Sequence, residues 1–524
     1  MKLYFPGGLN EQETPSLFEC IEGYNFELGL KQSKLIPRKP IDKKGTAPNA
    51  LAANGFLQLV KRDNSETTLA QAGDTVYLWD GASSFTSKGT VSSSSKLRDT
   101  YWSLGDYLVI TDIAKATVIK KWDGTTFSTL TTGLGTDLYA KYGIVFQGRV
   151  WLFNVKTTTD TPHLMVASAF EDPTSYDTAK RGGPTTSGGG TFTTGLEAFF
   201  MLTPDLKPIN GVAVFYQQLI ISTEGGRLFK LTGSTAATFK WDEFYSGSAA
   251  IGTESMANIG NDVIYMKIGG GIDLLSSTIE SGDVAADDVS RWIPSTTKDL
   301  ASAITIYDQK NQKVLFFVSD KVLALFKDLL GGELSPWSVY RTEESFAFNT
   351  NAVKYMKAPG TQAYTVFLGD SSGRIFDLNG TGTSGDAGTT SIPTYRKTRY
   401  INSGEGGDKL GKGALNLMTK VLHGEVFYRR IFAPCDLTIS LDWGDEYNVS
   451  SSVITLKGAP SAFAGVYYGG GSYYNSTEYF SQGFAFAKKV SSQTFSPTGK
   501  GPGVFISTSL ETSTDFRIDH IDIH

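Results

Sequence analysis

The sequence predicts an all-β chain: a β-propeller of six to eight blades, seven fitting best, followed by a β-sandwich-like domain. Three observations carry this. The 524 residues include 57 Gly against only 19% charged residues, and 12% are aromatic, which suits many short strands joined by tight turns. Short alternating apolar runs end repeatedly in Asp-Gly, Thr-Gly or Asn-Gly, the signal of a half-buried strand entering a hairpin. Those runs also recur at blade-sized intervals.

The recurrence is explicit. Asp74-Thr-Val-Tyr-Leu-Trp-Asp-Gly81 resembles Thr117-Val-Ile-Lys-Lys-Trp-Asp-Gly124, an offset of 43 residues (81 to 124). Gly226-Arg-Leu-Phe-Lys-Leu-Thr-Gly233 resembles Gly373-Arg-Ile-Phe-Asp-Leu-Asn-Gly380, an offset of 147 (233 to 380), about three such units. Between them, residues 143–153, 211–221 and 261–268 each read as two strands around a turn, and 314–318 pairs with 322–326 around Ser-Asp-Lys. A single large sandwich is the competing architecture.

The domain plan follows. Residues 1–45 form an N-terminal docking segment, 46–393 the propeller with a Gly-rich loop insertion near 180–195, and 394–524 a C-terminal β-domain. The last begins where the pattern changes after the Gly/Thr/Ser-rich stretch 379–391, and its alternating end, Phe516 to Ile523, ties the terminus down as a strand.

Composition and motif failures exclude several functions. No run of about 18 apolar residues exists, so membrane insertion is not expected. The opening lacks an apolar h-region, so no secretory signal is read. Cys20 and Cys435 are too few and too far apart for a disulfide framework and read as two buried thiols. Gly406-Gly-Asp-Lys-Leu-Gly-Lys-Gly413 has Gly where a P-loop needs Ser or Thr to hold Mg²⁺, and Gly380 to Gly385 is followed by no helix to receive a pyrophosphate. The four histidines, His163, His423, His520 and His524, have no zinc-ligand spacing. Glu280, Asp283, Asp287 and Asp288 lack the turn glycine of a calcium loop and read as a solvated face. Ser440-Leu-Asp-Trp-Gly-Asp-Glu-Tyr447 resembles an Asp-box hairpin, whose Asp braces a turn and does no catalysis. No catalytic residue, metal or cofactor is therefore expected.

Two basic stretches stand out in a chain of formal charge −5. One carries Lys31, Lys34, Arg38, Lys39, Lys43 and Lys44 against Asp42. The other, from Arg396 to Arg430, carries eight basic residues, Arg396, Lys397 and Arg399 first, against Glu405, Asp408 and Glu425. Either can be an ordinary solvated face; the sharper expectation is that Lys31, Lys34, Arg38, Lys39, Arg396, Lys397 and Arg399 dock acidic partner subunits or line a DNA path.

The N-terminus supplies a family resemblance. Phe5-Pro-Gly-Gly-Leu-Asn10, Cys20-Ile-Glu-Gly-Tyr-Asn-Phe-Glu-Leu28 and Leu35-Ile-Pro-Arg-Lys-Pro40 are similar to the opening of bacteriophage tail nozzle (tail tubular) proteins of short-tailed phages. Thr394-Tyr-Arg-Lys-Thr-Arg-Tyr400, Gly499 to Ile506 and Phe516-Arg-Ile-Asp519 resemble segments of their second half. The resemblance implies a non-enzymatic virion protein, assembled in the host cytoplasm into a ring, usually a hexamer, at the end of the tail. Tail adaptor or portal-side proteins and tail fibres would be its partners, with transient contact to phage DNA in the channel during ejection. The alternative is a carbohydrate-binding or glycan-degrading propeller that recognises a host receptor.

Overall fold

The computed structural model describes residues 2–3, 9–12, 20–29, 32–134, 137–176, 198–275, 288–341, 352–380 and 392–398, apart from 216, 236–237, 247–248, 261, 299–302 and 319–320, and paired strand segments between 401 and 523. Seven antiparallel sheets follow one another as the blades of a propeller. Blade 1 comprises Ala53–Val60, Glu66–Ala72, Thr75–Trp79 and Phe85–Thr90, and blade 2 comprises Leu97–Trp102, Tyr107–Asp112, Lys120–Trp122 and Phe127–Thr129. Blade 3 is Tyr139–Phe146, Arg149–Lys156, Asp160–Ala167 and Phe199–Leu202; blade 4 is Ile209–Phe215, Gln218–Thr223, Arg227–Thr232 and Lys240–Ser246. Blade 5 has three strands, Met256–Asn258, Val263–Met266 and Ile272–Leu274. Blade 6 is Ile304–Asp308, Lys313–Val318, Lys321–Phe326 and Trp337–Tyr340. Blade 7 takes three strands from Ala352–Lys357, Tyr364–Gly369 and Arg374–Asp377, and its outer strand, Asp42–Thr46, from the opposite end of the chain.

All four turn copies fall at the same place: Thr75–Trp79, Lys120–Trp122, Arg227–Thr232 and Arg374–Asp377 are the third strands of blades 1, 2, 4 and 7. The offset of 43 is one blade step and that of 147 is three. The turns are built alike where Asp-Gly closes them. Asp80 Oδ1 accepts from the N–H groups of Ala82 and Ser84 at 2.8 and 3.1 Å, and Asp123 Oδ1 from those of Thr125 and Thr126 at 2.9 and 2.8 Å. Each is an Asx-type turn. The runs 143–153 and 211–221 are hairpins as expected, the first turning through Gln147 and Gly148 at φ 47° and 68°. Residues 261–268 instead supply one strand, Val263–Met266, because its partner lies upstream at Met256–Asn258.

The hydrophobic core is a ring of layers between blades, since each sheet is apolar on both faces. Leu57, Leu69, Leu108 and Trp122 fill the layer between blades 1 and 2. Trp151, Phe153, Ile221 and Phe229 fill that between blades 3 and 4. Trp79 meets Phe367 edge-on at 5.2 Å between blades 1 and 7. First strands crowd around the axis, and a Cβ on Gly55 would lie 2.7 Å from the Leu97 carbonyl oxygen; glycine lets blades 1 and 2 approach there.

The N-terminal residues do not form a separate segment. Cys20–Tyr24 pairs with Ile392–Thr398, which continues through Gly503–Thr512 and Cys435–Asp442 to Ser450–Leu456. Phe26–Gly29 and Gln32–Pro37 join Arg517–Ile523, Gly424–Arg429 and Ser491–Phe495 in a second sheet, with Lys2–Leu3 also on Arg517–Ile523. The C-terminal strand is thus tied down by both ends of the chain, and the expected boundary at residue 45 falls inside the outer strand of blade 7. The Gly-rich stretch 180–195 lies outside the described residues, between the third and fourth strands of blade 3.

Candidate functional site

The N-terminal residues run as a strap from the second β-unit across blade 6 to blade 7. The outer strand of blade 6, Trp337–Tyr340, would otherwise present an unpaired edge. The strap covers it: the N–H groups of Leu9 and Asn25 donate to the carbonyls of Trp337 and Val339 at 2.8 and 2.7 Å, and Ser338 Oγ donates to the Phe26 carbonyl at 2.6 Å. Leu9, Cys20, Phe26 and Leu28 are buried in one core with residues of blades 5, 6 and 7.

Polar groups lock this crossing. Asn25, wholly buried at φ 60°, accepts at Oδ1 from Arg38 Nε (3.0 Å) and from the Arg341 N–H (2.8 Å). Arg38 Nη1 and Nη2 donate to the carbonyls of Lys39 and Arg341 at 3.0 and 3.2 Å. Beside them Glu27 pairs with Lys313, whose Nζ lies 3.4 Å from the Tyr340 hydroxyl. Burial works against the Lys313 charge, but the Glu27 carboxylate outweighs it and holds the ammonium above its ordinary range. Burial likewise pushes the Tyr340 phenol up.

The basic residues singled out in the sequence divide accordingly. Arg38 is 3% exposed and its hydrogen bonds are internal, so it is removed from the docking set: a guanidinium this deep serves packing and hydrogen bonding. Lys39 is exposed. Lys34 lies on Gln32–Pro37; Arg396 and Lys397 lie on Ile392–Thr398, opposite Gly23 and Glu22. Lys31 and Arg399 fall outside the described residues. The two basic stretches therefore lie on strands of two different sheets: Gln32–Pro37 pairs with Phe26–Gly29 and Arg517–Ile523, Ile392–Thr398 with Cys20–Tyr24 and Gly503–Thr512. In the second of these sheets Tyr24 stacks on Tyr395 with centroids 5.4 Å apart, and the Arg341 guanidinium lies over Tyr24 at 5.2 Å. Sequence reasoning missed Asn25, Glu27 and Lys313, whose partners lie some three hundred residues away.

Other motifs are partly placed. Of the acidic group, Asp288 accepts from the Ser290 N–H at 2.8 Å and lies 3.8 Å from Lys267 Nζ; Glu280, Asp283 and Asp287 are outside the described residues, as are 406–413 and most of the Asp-box-like hairpin. Among the described residues no three His, Cys, Asp or Glu side chains converge, and no helix is long and apolar enough to cross a membrane.

The propeller axis is bridged. Arg98, on the first strand of blade 2, pairs with Glu254, just ahead of the first strand of blade 5, and its Nη1 donates to the Leu97 and Asn54 carbonyls at 2.7 and 3.2 Å. Lys354 of blade 7 pairs with Asp99 of blade 2, which also accepts the Gln58 N–H of blade 1 at 2.9 Å. Two clefts open elsewhere. One, of about 280 Å³, lies between blades 1 and 7 beside Glu66, Trp79, Asp80 and Gly360; its Glu66 is held by Lys357 Nζ at 2.7 Å and the Gly360 N–H at 3.0 Å. The other, of about 580 Å³, lies between blades 6 and 7 and is lined by Lys310, Tyr355, Thr361, Gln362, Ala363 and Tyr364.

No family model and no curated protein matches the sequence. Among solved structures, virginiamycin B lyase from Staphylococcus aureus is similar at 10% identity and a TM-score of 0.40, over 64% of this chain and 98% of the lyase. The extracellular domain of a one-component system from B. thetaiotaomicron is similar at 11% identity and a TM-score of 0.42, over 80% of this chain and 46% of that one. BBS1N, solved with ARL6DN, is similar at 10% identity and a TM-score of 0.40, over 66% and 99% of the two chains.

Proposed function

We propose that this chain is a structural, non-enzymatic subunit of a bacteriophage tail, the nozzle or tail-tube end, assembling in the host cytoplasm into a ring of about six copies around the DNA exit. One observation supports this most. Part of the N-terminal lettering that carries the resemblance to tail nozzle proteins, Leu9-Asn10, Gly23-Tyr-Asn-Phe26 and Arg38, falls in the strap, with Asn10, Asn25, Phe26 and Arg38 all buried. They hold the propeller against a second β-unit, which is what a load-carrying assembly needs and an isolated propeller does not. With Arg98 and Glu254 across the propeller axis, DNA would travel in the lumen of the ring, between protomers. Lys34, Lys39, Arg396 and Lys397 are the residues proposed to dock adaptor or fibre subunits. Negative-stain images of the purified protein and mass spectrometry of intact virions test the reading. Rings and presence in virions are expected; a strict monomer absent from virions overturns it.

A second reading, a carbohydrate-binding propeller, is favoured by the tyrosine-lined cleft between blades 6 and 7. Binding of the full chain to a glycan array supports it, and a blank array rejects it.

A further inference from the structure

We infer that the cleft between blades 6 and 7 is a saccharide subsite, in which a pyranose ring lies on the face of Tyr364; this rests on the carbohydrate-binding reading and assigns it a place. The platform is built by register. Tyr355 pairs with Val366 across the first two strands of blade 7, and Lys357 with Tyr364, so Tyr355 and Tyr364 are diagonal neighbours on one face. Their rings stack with centroids 5.6 Å apart and planes 27° from parallel. Tyr355 is half-buried beneath, while Tyr364 is 44% exposed. The ring below fixes the ring above, so little side-chain freedom remains to be lost on binding.

The rim supplies polar groups. Lys310, on the first hairpin of blade 6, and Gln362, on that of blade 7, are both exposed beside the rings. Thr361 Oγ1 is engaged locally, donating to the Ala358 carbonyl at 2.9 Å and accepting the Ala363 N–H at 3.2 Å, so it stiffens the hairpin. A flat aromatic face carries partial negative charge and attracts the polarised C–H bonds on one side of a pyranose, while an amide and an ammonium at the edge reach its hydroxyls. The volume of about 580 Å³ lies within the range of small-ligand sites, roughly 300–1,000 Å³. Among the described residues a single cation, Lys310, lines the cleft, where a nucleic-acid strand needs a track of them; the chemistry is that of a neutral ring.

The test uses the full chain and a panel of glucose, galactose, mannose and N-acetylglucosamine with their disaccharides, read by saturation-transfer NMR and then by titration. At least one sugar is expected to bind at millimolar affinity or better. Tyr364→Ala should weaken it at least tenfold with an unchanged melting curve, Tyr364→Phe should retain it, and Gln362→Ala should weaken it a few-fold. Binding that Tyr364→Ala leaves intact overturns the subsite while the carbohydrate reading stands. Absence of binding across the panel and a glycan array overturns both. Oligothymidylate or a proline-rich peptide occupying Tyr364 in place of any sugar also overturns the subsite.

Discussion

Arg98 and Glu254 form an ion pair although they come from blades 2 and 5, which share no edge. Both side chains are about three-quarters covered, 24% and 27% exposed. Removing one partner strands the other charge near the axis. Arg98→Leu is expected to lower stability by about 1–3 kcal/mol, less than for a fully buried pair. Arg98→Leu with Glu254→Leu should be more stable than the sum of the single losses predicts. Urea denaturation of the four proteins measures this; a coupling energy near zero would show that the pair does not brace the ring.

Asn25 should be the least replaceable residue of the strap. Its side chain meets two donors and its backbone is left-handed. Asn25→Ala loses the acceptor and the local side-chain hydrogen bonding that lets Asn adopt a left-handed backbone, a conformation that costs other L-residues roughly 1–2 kcal/mol, for a total loss of about 2–4 kcal/mol. Asn25→Gly relieves the backbone alone and should recover about 1 kcal/mol of that. Thermal or urea melts rank the three proteins, and an Asn25→Ala variant as stable as the parent removes the strap's polar lock from the account.

The protein should weaken in alkali. Lys313 and Tyr340 are both held above their ordinary values, and burial pushes Tyr107 up to about 12. The unfolded chain releases these protons near pH ~10, whereas the folded chain retains them. The contribution is complete below that pH and is lost as pH rises through the folded values. Stability should therefore fall from about pH 10, where the unfolded chain begins to release these protons, up through about pH 12, where Tyr107 titrates in the folded chain, with tyrosinate absorbance from the buried rings developing only on unfolding. Glu27→Gln with Lys313→Met should flatten the fall; stability constant across this range contradicts the assignment.

How much the chain announces in its letters depends on how local each feature is. Trp79-Asp-Gly81 and Trp122-Asp-Gly124 are legible because an Asx turn and the tryptophan beside it need only adjacent residues. Blade 3 is harder to read because residues 168–198 separate its last two strands, and blade 5 because three short strands carry no such turn. Asp42–Thr46 could not be read as a strand of blade 7, since an outer strand can be as polar as Asp-Lys-Lys-Gly-Thr and its partner lies at Arg374–Asp377. Arg38 was misplaced for the same reason: its charge suggests a surface, and only the distant Arg341 and the turn at Asn25 show that it is buried.

Closure of the ring by that polar strand gives the last prediction. Gly45 pairs with Ile375, and a Cβ there would lie 2.3 Å from the Ala82 carbonyl oxygen. The obstacle is backbone in blade 1, so it cannot swing aside. Gly45→Val should push the outer strand off blade 7 and cost about 1–3 kcal/mol, with faster proteolysis near residues 39–48. Lys43, exposed on the same strand opposite Phe376, provides the control: Lys43→Val should stay within about 0.5 kcal/mol of the parent. Because residues just before this strand also cross blade 6 and enter the second β-unit, loosening Gly45 frees one end of the strap as well. Equal damage from both substitutions, or none from Gly45→Val, would place the closure elsewhere.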